Sequence, residues 1–155
     1  MSNRKKKNKI EGRFVPLQHS LLTSEAFRSL TKTAKVAYVY FLFDIKRGDQ
    51  TEVILTFEQA KKYSVCSSPT TFMEIKKELV SKCFLDQLEG GGLNKPSKFK
   101  ISYMWKKHGT NLFEDKKYCP GIGAKYFKAA WKDSKKKEKL LMARHQKNKL
   151  NTKNI

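Results

Sequence analysis

The chain has little from which to build a metal, redox or hydrolytic centre. Its three histidines, His19, His108 and His145, lie in separate segments and form no HxH, HxxxH or HExxH pair, so the spacing that sets two imidazoles on one metal is missing. Cys66, Cys83 and Cys119 are an odd number with no CxxC pair. Neither a disulfide framework nor a structural zinc site is implied, and a reducing interior is the expected setting. Acidic residues are scarce, fourteen against thirty-four Lys and Arg, and Asp86, Glu89, Glu114 and Asp115 offer no convincing pair for acid/base work. The longest apolar run, Val36 to Phe43, has eight residues, whereas a membrane span needs about 20. The basic N-terminus runs into Glu11-Gly12-Arg13 without an apolar stretch or a cleavage site, so no secretory signal is read. A cytoplasmic protein that uses no cofactor and meets no membrane is expected.

The chain's excess is in positive charge. Its 155 residues carry a net +20, which points to a polyanionic partner. Yet 39% of the residues are hydrophobic and 12% aromatic, too much apolar material for a disordered polycation. The charge is uneven along the chain: residues 1 to 13 carry +5 and residues 105 to 155 carry +11, leaving +4 for residues 14 to 104. This divides the chain into a basic arm over 1–13, expected to be disordered, a folded domain over 14–105, and a basic extension over 106–155. The extension is expected to be irregular to Gly123, helical over roughly 124–146 and disordered beyond. Gly121-Ile122-Gly123-Ala124-Lys125 lacks the GxxxxGK[ST] spacing of a phosphate loop and is read as a turn. Tyr118 and Tyr126 have the chemistry of a strand-transfer nucleophile, but the metal-binding histidines which that chemistry needs are missing. A non-enzymatic protein is the reading.

Within the domain, Ser20 to Ser29 reads as a short helix with Ser24 as its cap and Phe27 and Leu30 turned inward. Ala34, Ala37, Tyr38, Phe41, Leu42 and Ile45 keep the spacing of one helical face, with Thr31 to start that helix and Gly48 to end it. Because Val36 to Phe43 is rich in β-branched and aromatic residues, a strand is the competing reading there. Thr51 to Leu55 reads as a strand with Val53 and Leu55 on one side. Thr56-Phe57-Glu58-Gln59 is a capping box that opens a short helix through Tyr63. After Ser64 to Ser67, Ser68-Pro69 is an N-cap followed by proline at the first helical position. The helix that begins there buries Phe72, Ile75 and Leu79 and turns Thr70, Met73, Glu74, Lys77 and Ser81 outward. Cys83 to Leu88 reads as a strand and Glu89 to Ser97 as a glycine-rich hairpin loop. A second strand places Phe99, Ile101, Tyr103 and Trp105 on its buried side.

This order of elements is that of a winged helix-turn-helix domain. Gly12-Arg13-Phe14-Val15-Pro16-Leu17, Leu30-Thr31, Thr56-Phe57-Glu58-Gln59-Ala60, the stretch Glu78 to Leu85 and the stretch Lys95 to Ser102 carry a resemblance to winged helix-turn-helix proteins of plasmids, phages and other mobile elements. These include small regulators and replication-initiation-like proteins, and Trp105 to Thr110 resembles the segment after the wing in some of them. The likeness spans about residues 12 to 110. It implies an α+β, mainly α fold with a three-stranded antiparallel sheet. The chain departs from the pattern at Ser64, where many such turns carry glycine, and at Cys83, where glycine often precedes the first wing strand. A serine held at positive φ has a cost that glycine avoids.

On such a fold the second helix of the pair meets DNA. Ser67, Ser68, Thr70, Thr71, Met73, Glu74, Lys76 and Lys77 are the candidate recognition residues, and Lys95, Lys98 and Lys100 the candidate wing contacts. Arg4, Lys5, Lys6 and Lys7 in the arm and Lys106 and Lys107 after the wing are candidate phosphate contacts. Glu74 repels phosphate but can accept from cytosine N4. The plainer alternative for Ser68, Thr70 and Thr71 is capping alone, and for the tails plain solvated lysine. The expected partner is double-stranded DNA, with a homodimer left open. Two other readings stand beside it: an RNA-binding or ribosome-associated protein stacking bases on Trp131 and Tyr126, and a winged helix used for protein contacts through Met73 and Phe127.

Overall fold

Four hydroxyl side chains start four helices, each at the position the sequence marks. In the computed structural model, which describes residues 12, 14–45, 52–92, 95–121, 132–139 and 142, the Ser24 hydroxyl accepts from the Phe27 amide at 3.1 Å and that of Thr31 from Ala34 at 3.3 Å. Thr56 accepts from the Gln59 amide at 3.2 Å while the Gln59 side chain accepts from the Thr56 amide at 2.9 Å, the reciprocal capping box. Ser68 accepts from Thr71 at 3.1 Å, with Pro69 at the first helical position. The elements run α1 (His19–Thr23), α2 (Glu25–Arg28), α3 (Lys32–Phe43), β1 (Glu52–Val53), α4 (Phe57–Lys62), α5 (Pro69–Ser81), β2 (Leu85–Glu89) and β3 (Lys98–Ile101), then a single 3₁₀ turn over Met104–Lys107. The described strands form one antiparallel sheet in the order β1-β3-β2, with Val53 opposite Phe99 and Leu85 opposite Ile101. The fold is α+β.

Left-handed turns close both α4 and α5. Ser64 sits at φ 56° and Cys83 at φ 57°. After α4, the Val65 amide donates back to Ala60 O at 2.9 Å and Ser64 to Lys61 O at 3.0 Å; after α5, Phe84 donates to Leu79 O at 2.9 Å and Cys83 to Val80 O at 3.0 Å. Each pair is a Schellman motif, and its apolar partners, Val65 with Ala60 and Phe84 with Leu79, are buried. The two positions where glycine is absent from the sequence are therefore the two where the backbone adopts a conformation that L-residues resist by about 1–2 kcal/mol.

The core is aromatic. The Phe84 ring lies edge-on to Tyr38 at 5.2 Å and stacks on Trp105 at 6.0 Å, while Phe41 meets Phe99 at 5.5 Å, pairs worth about 0.5–1.5 kcal/mol each beyond their burial. The α5 stripe, Phe72, Ile75, Leu79 and Val80, is buried against α3, α4 and β2. A carboxylate on α5 finishes the start of α3: Glu78 accepts from the Thr31 amide at 2.9 Å and from its hydroxyl at 2.7 Å. Lys82 reinforces this junction, donating to Ser29 O at 2.7 Å and lying 3.4 Å from Glu78.

Several local expectations change. Ser20 to Ser29 is two short helices, because Ser24 ends α1 and caps α2. Helix α3 stops at Phe43, since the Asp44 carboxylate turns to accept from the Ile54 amide at 2.8 Å; Ile45 is exposed instead of lying on the buried face. Gly48 and the arm residues Arg4, Lys5, Lys6 and Lys7 lie outside the described residues. Strand β2 begins at Leu85, because Cys83 and Phe84 belong to the turn that closes α5. Strand β3 ends at Ile101, and the alternation expected through Trp105 breaks: Ser102 is buried, Tyr103 is exposed and Trp105 returns inward from the 3₁₀ turn. In the extension, residues 132–139 are helical.

Ser64 is exposed, so its left-handed strain can be relieved without disturbing the core. Ser64→Gly is expected to raise stability by about 0.5–1 kcal/mol once the greater unfolded-state freedom of glycine is subtracted, seen as a rise of a few degrees in Tm by calorimetry. An unchanged or lower Tm would show that the turn is not strained.

Candidate nucleic-acid interface

Burial of the α5 stripe sets what remains outside. Ser67, Thr70, Glu74 and Lys77 are exposed, with Thr70, Glu74 and Lys77 one helical turn apart along a single side. Ser68, Thr71, Met73 and Lys76 are half-buried, so the eight candidate recognition residues do not share one face. The Ser68 and Thr71 hydroxyls bond each other at 2.9 Å as part of the cap. Met73 packs on the edge of the core. The Lys76 ammonium lies over two rings, 4.7 Å from the Phe72 centroid and 5.7 Å from that of Tyr118. Loss of water around it lowers its pKa from 10.5 to about 8.

The hairpin also differs from a bare basic surface. Lys98 sits between two carboxylates, 3.2 Å from Glu52 and 3.4 Å from Glu89, and these partners raise its pKa, the hydrogen bond to Glu52 contributing most. Lys100 is exposed and stands in register with Glu52 on one side and Asp86 on the other. Asp86 is itself paired with Lys116. Lys95 is exposed at the loop. Carboxylates thus interleave with the wing lysines, and the sheet face that reads as basic in sequence is close to balanced where it is ordered. Lys106 lies over the Tyr103 and Trp105 rings at 5.6 and 5.7 Å, and Lys107 is exposed.

A segment expected to be irregular turns out to pack onto this face. Residues 114–121 run beside β2, the strand at the sheet's outer edge, in the same direction. The Cys83 thiol approaches Glu114 O at 3.3 Å. The Gln87 side chain donates to Cys119 O at 2.6 Å and accepts from the Cys119 amide at 2.9 Å, and the Gly121 amide donates to Gly90 O at 2.7 Å. Tyr118 is buried with its ring 6.3 Å from Phe99 and beneath Lys76. An edge strand normally leaves unpaired amides and carbonyls that invite another chain; here a side-chain amide and two glycines carry the cover. A Cβ on Gly121 would run into the carbonyls of Gly90 and Gly91, and one on Gly90 would come to 2.9 Å from Cys119 O. Packing therefore continues beyond the domain end expected at 105, as far as Gly121. Tyr118, a large aromatic in a polar stretch, and Gly121 were the signals for it, and neither has a periodicity that reveals a packed segment.

Among the described residues no three His, Cys, Asp or Glu side chains gather as metal ligands, and no helix is long and apolar enough to cross a membrane. No protein-family model and no curated protein matches the chain. A solved structure described as "Structure of Rep-DNA complex" is similar at 21% identity and a TM-score of 0.42, over 65% of this chain and 90% of that one. At that distance the likeness does not bear on which residues of this chain do what.

Two outcomes test the packed segment. Tyr118→Ala should return the Lys76 pKa from about 8 toward 10.5, followed by NMR titration of the lysine side chains; a value still near 8 would place the cause elsewhere. Gly121→Ala should abolish hydrogen-exchange protection at Cys119 and Gly121 while leaving α3 protected; retained protection would show that the glycine crossing is dispensable.

Proposed function

We propose that the chain is a non-enzymatic, double-stranded DNA-binding protein of the winged helix-turn-helix type, a transcriptional regulator or replication accessory of a mobile genetic element, working in the cytoplasm at the nucleoid. The observation that carries this reading is the wet row Ser67, Thr70, Glu74 and Lys77 at the start of a thirteen-residue helix. That helix comes after a short one through a tight left-handed turn and leads directly into a hairpin.

A helix of that length is about 20 Å long, and a helix fits the B-DNA major groove, about 12 Å wide, with its N-terminal side chains at base edges. Thr70 and Lys77 are the residues to read them, and Glu74 accepts from cytosine N4. Ser67 and the Thr70 amide, which the Ser68 cap leaves unused, face a phosphate. Lys76, committed to Phe72 and Tyr118, is left out of the footprint, and Lys98, held by Glu52 and Glu89, contributes less than Lys95 and Lys100. Sequence-independent affinity comes mainly from the chain ends, because the +4 of residues 14 to 104 is small beside the +20 total. Contacts to six to ten phosphates would give a slope of log K against log salt of roughly -5 to -9.

Binding of a selected site and of random duplex at several salt concentrations tests the assignment, with single strands and structured RNA as competitors. Thr70→Ala and Lys77→Ala are each expected to weaken the selected site by about 1–3 kcal/mol more than random duplex. Lys100→Ala is expected to weaken all duplexes alike and reduce the salt slope by about 1, with Lys98→Ala doing less. Equal losses on selected and random DNA for Thr70 and Lys77 would remove the recognition role of α5. A preference for structured RNA would replace the DNA reading with the RNA one.

A further inference from the structure

An open groove of about 840 Å³ is lined by no residue of α4, α5 or the hairpin. Its walls come from the segment after Gly12, the end of α3 and the 3₁₀ turn. Phe14, Leu42, Phe43, Ile45, Tyr103 and Trp105 are among its lining residues. Phe14, Phe43 and Tyr103 are 59%, 53% and 59% exposed, an amount of contiguous apolar surface that water-facing proteins normally keep for a partner. Trp105 lines the groove but is only 4% exposed, and its indole N–H is buried without an acceptor among the described residues. A buried donor without an acceptor costs about 1–3 kcal/mol.

The surrounding charge selects among occupants. Lys106 stands over the Tyr103 and Trp105 rings and Lys107 is exposed beside it. Asp44, the acidic residue next to Phe43, turns its carboxylate to the Ile54 amide and does not line the groove. Nucleic acid suits the rim but not the Phe14 and Phe43 floor. A second copy suits the floor but carries +20 of its own. We infer that this groove docks an acidic amphipathic segment of a partner protein, with apolar side chains laid between Phe14, Phe43 and Tyr103 and its carboxylates facing Lys106 and Lys107. The groove would recruit a protein while α5 holds DNA, a helix-in-groove mode distinct from base reading.

The test uses the full chain and a synthetic helix of about 18 residues with Leu and Phe at i, i+3, i+4 and i+7 and Glu on the opposite face. NMR should show the Trp105 indole N–H shifting on titration, and Phe43→Asp should weaken the peptide by about tenfold or more while duplex DNA binding is unchanged. Phe43 is half-exposed, so the fold is expected to tolerate the change, and Tyr103→Ser provides an independent variant with the same expected loss. A peptide carrying Lys in place of Glu should bind much more weakly. Equal binding of the Lys peptide, shifts confined to α5, or no binding would overturn the inference. So would sedimentation showing a dimer of the full chain that Phe43→Asp dissociates, which would give the groove to a second copy.

Discussion

With Phe72, Ile75, Leu79 and Val80 held against α3, α4 and β2, α5 has only one way to face water, and that orientation puts Thr70, Glu74 and Lys77 outside. The arrangement is fixed at both ends. Ser68 and Pro69 set where the helix begins, and the left-handed Cys83 fixes where it ends, turning Phe84 back onto Leu79 and into the aromatic cluster with Tyr38 and Trp105. Glu78 then links the helix across the core to the start of α3, so that the cap of one helix is supplied in part by another. Two helices that share a cap cannot rotate independently, and the outer row of α5 takes its direction from the same contacts that make the core.

Charge is organised on a different principle from packing. Where the chain is folded, several lysines are placed beside carboxylates or over aromatic rings: Lys98 with Glu52 and Glu89, Lys116 with Asp86, Lys76 over Phe72 and Tyr118. The large excess lies outside residues 14 to 104. Composition alone spreads +20 over the surface, whereas the ordered body is nearly balanced. Exposed ion pairs of this kind contribute little to stability, but they remove cations from the set available to a polyanion, so the count of free lysines is smaller than the count in the sequence.

Much of the fold was legible because the signals were local. Ser24, Thr31, Thr56 and Ser68 each start a helix as hydroxyl caps do, and the apolar spacing of α3 and α5 gave their buried faces. The departures at Ser64 and Cys83 marked the two left-handed residues. What failed to show was long-range. Nothing near Ile45 indicates that Asp44 will be drawn to Ile54, and no pattern around Tyr118 indicates that Gln87 will bond the backbone at Cys119. Of the candidate interface, the α5 row was readable from helical rotation. The diversion of Lys76 and Lys98 was not, because it depends in part on Tyr118 and Glu52, each more than forty positions away in sequence.

The Gly90–Gly121 crossing also sets where the rest of the chain departs. Residues 122–155 carry eleven Lys and Arg against two acids, and they leave from a point bonded to the hairpin at Gly90. From Gly121 to Lys132, where helical backbone is again described, the chain can reach at most about 36 Å. One small glycine contact thus fixes, at the edge of the hairpin, the point from which a stretch holding a net +9 of the chain's +20 continues.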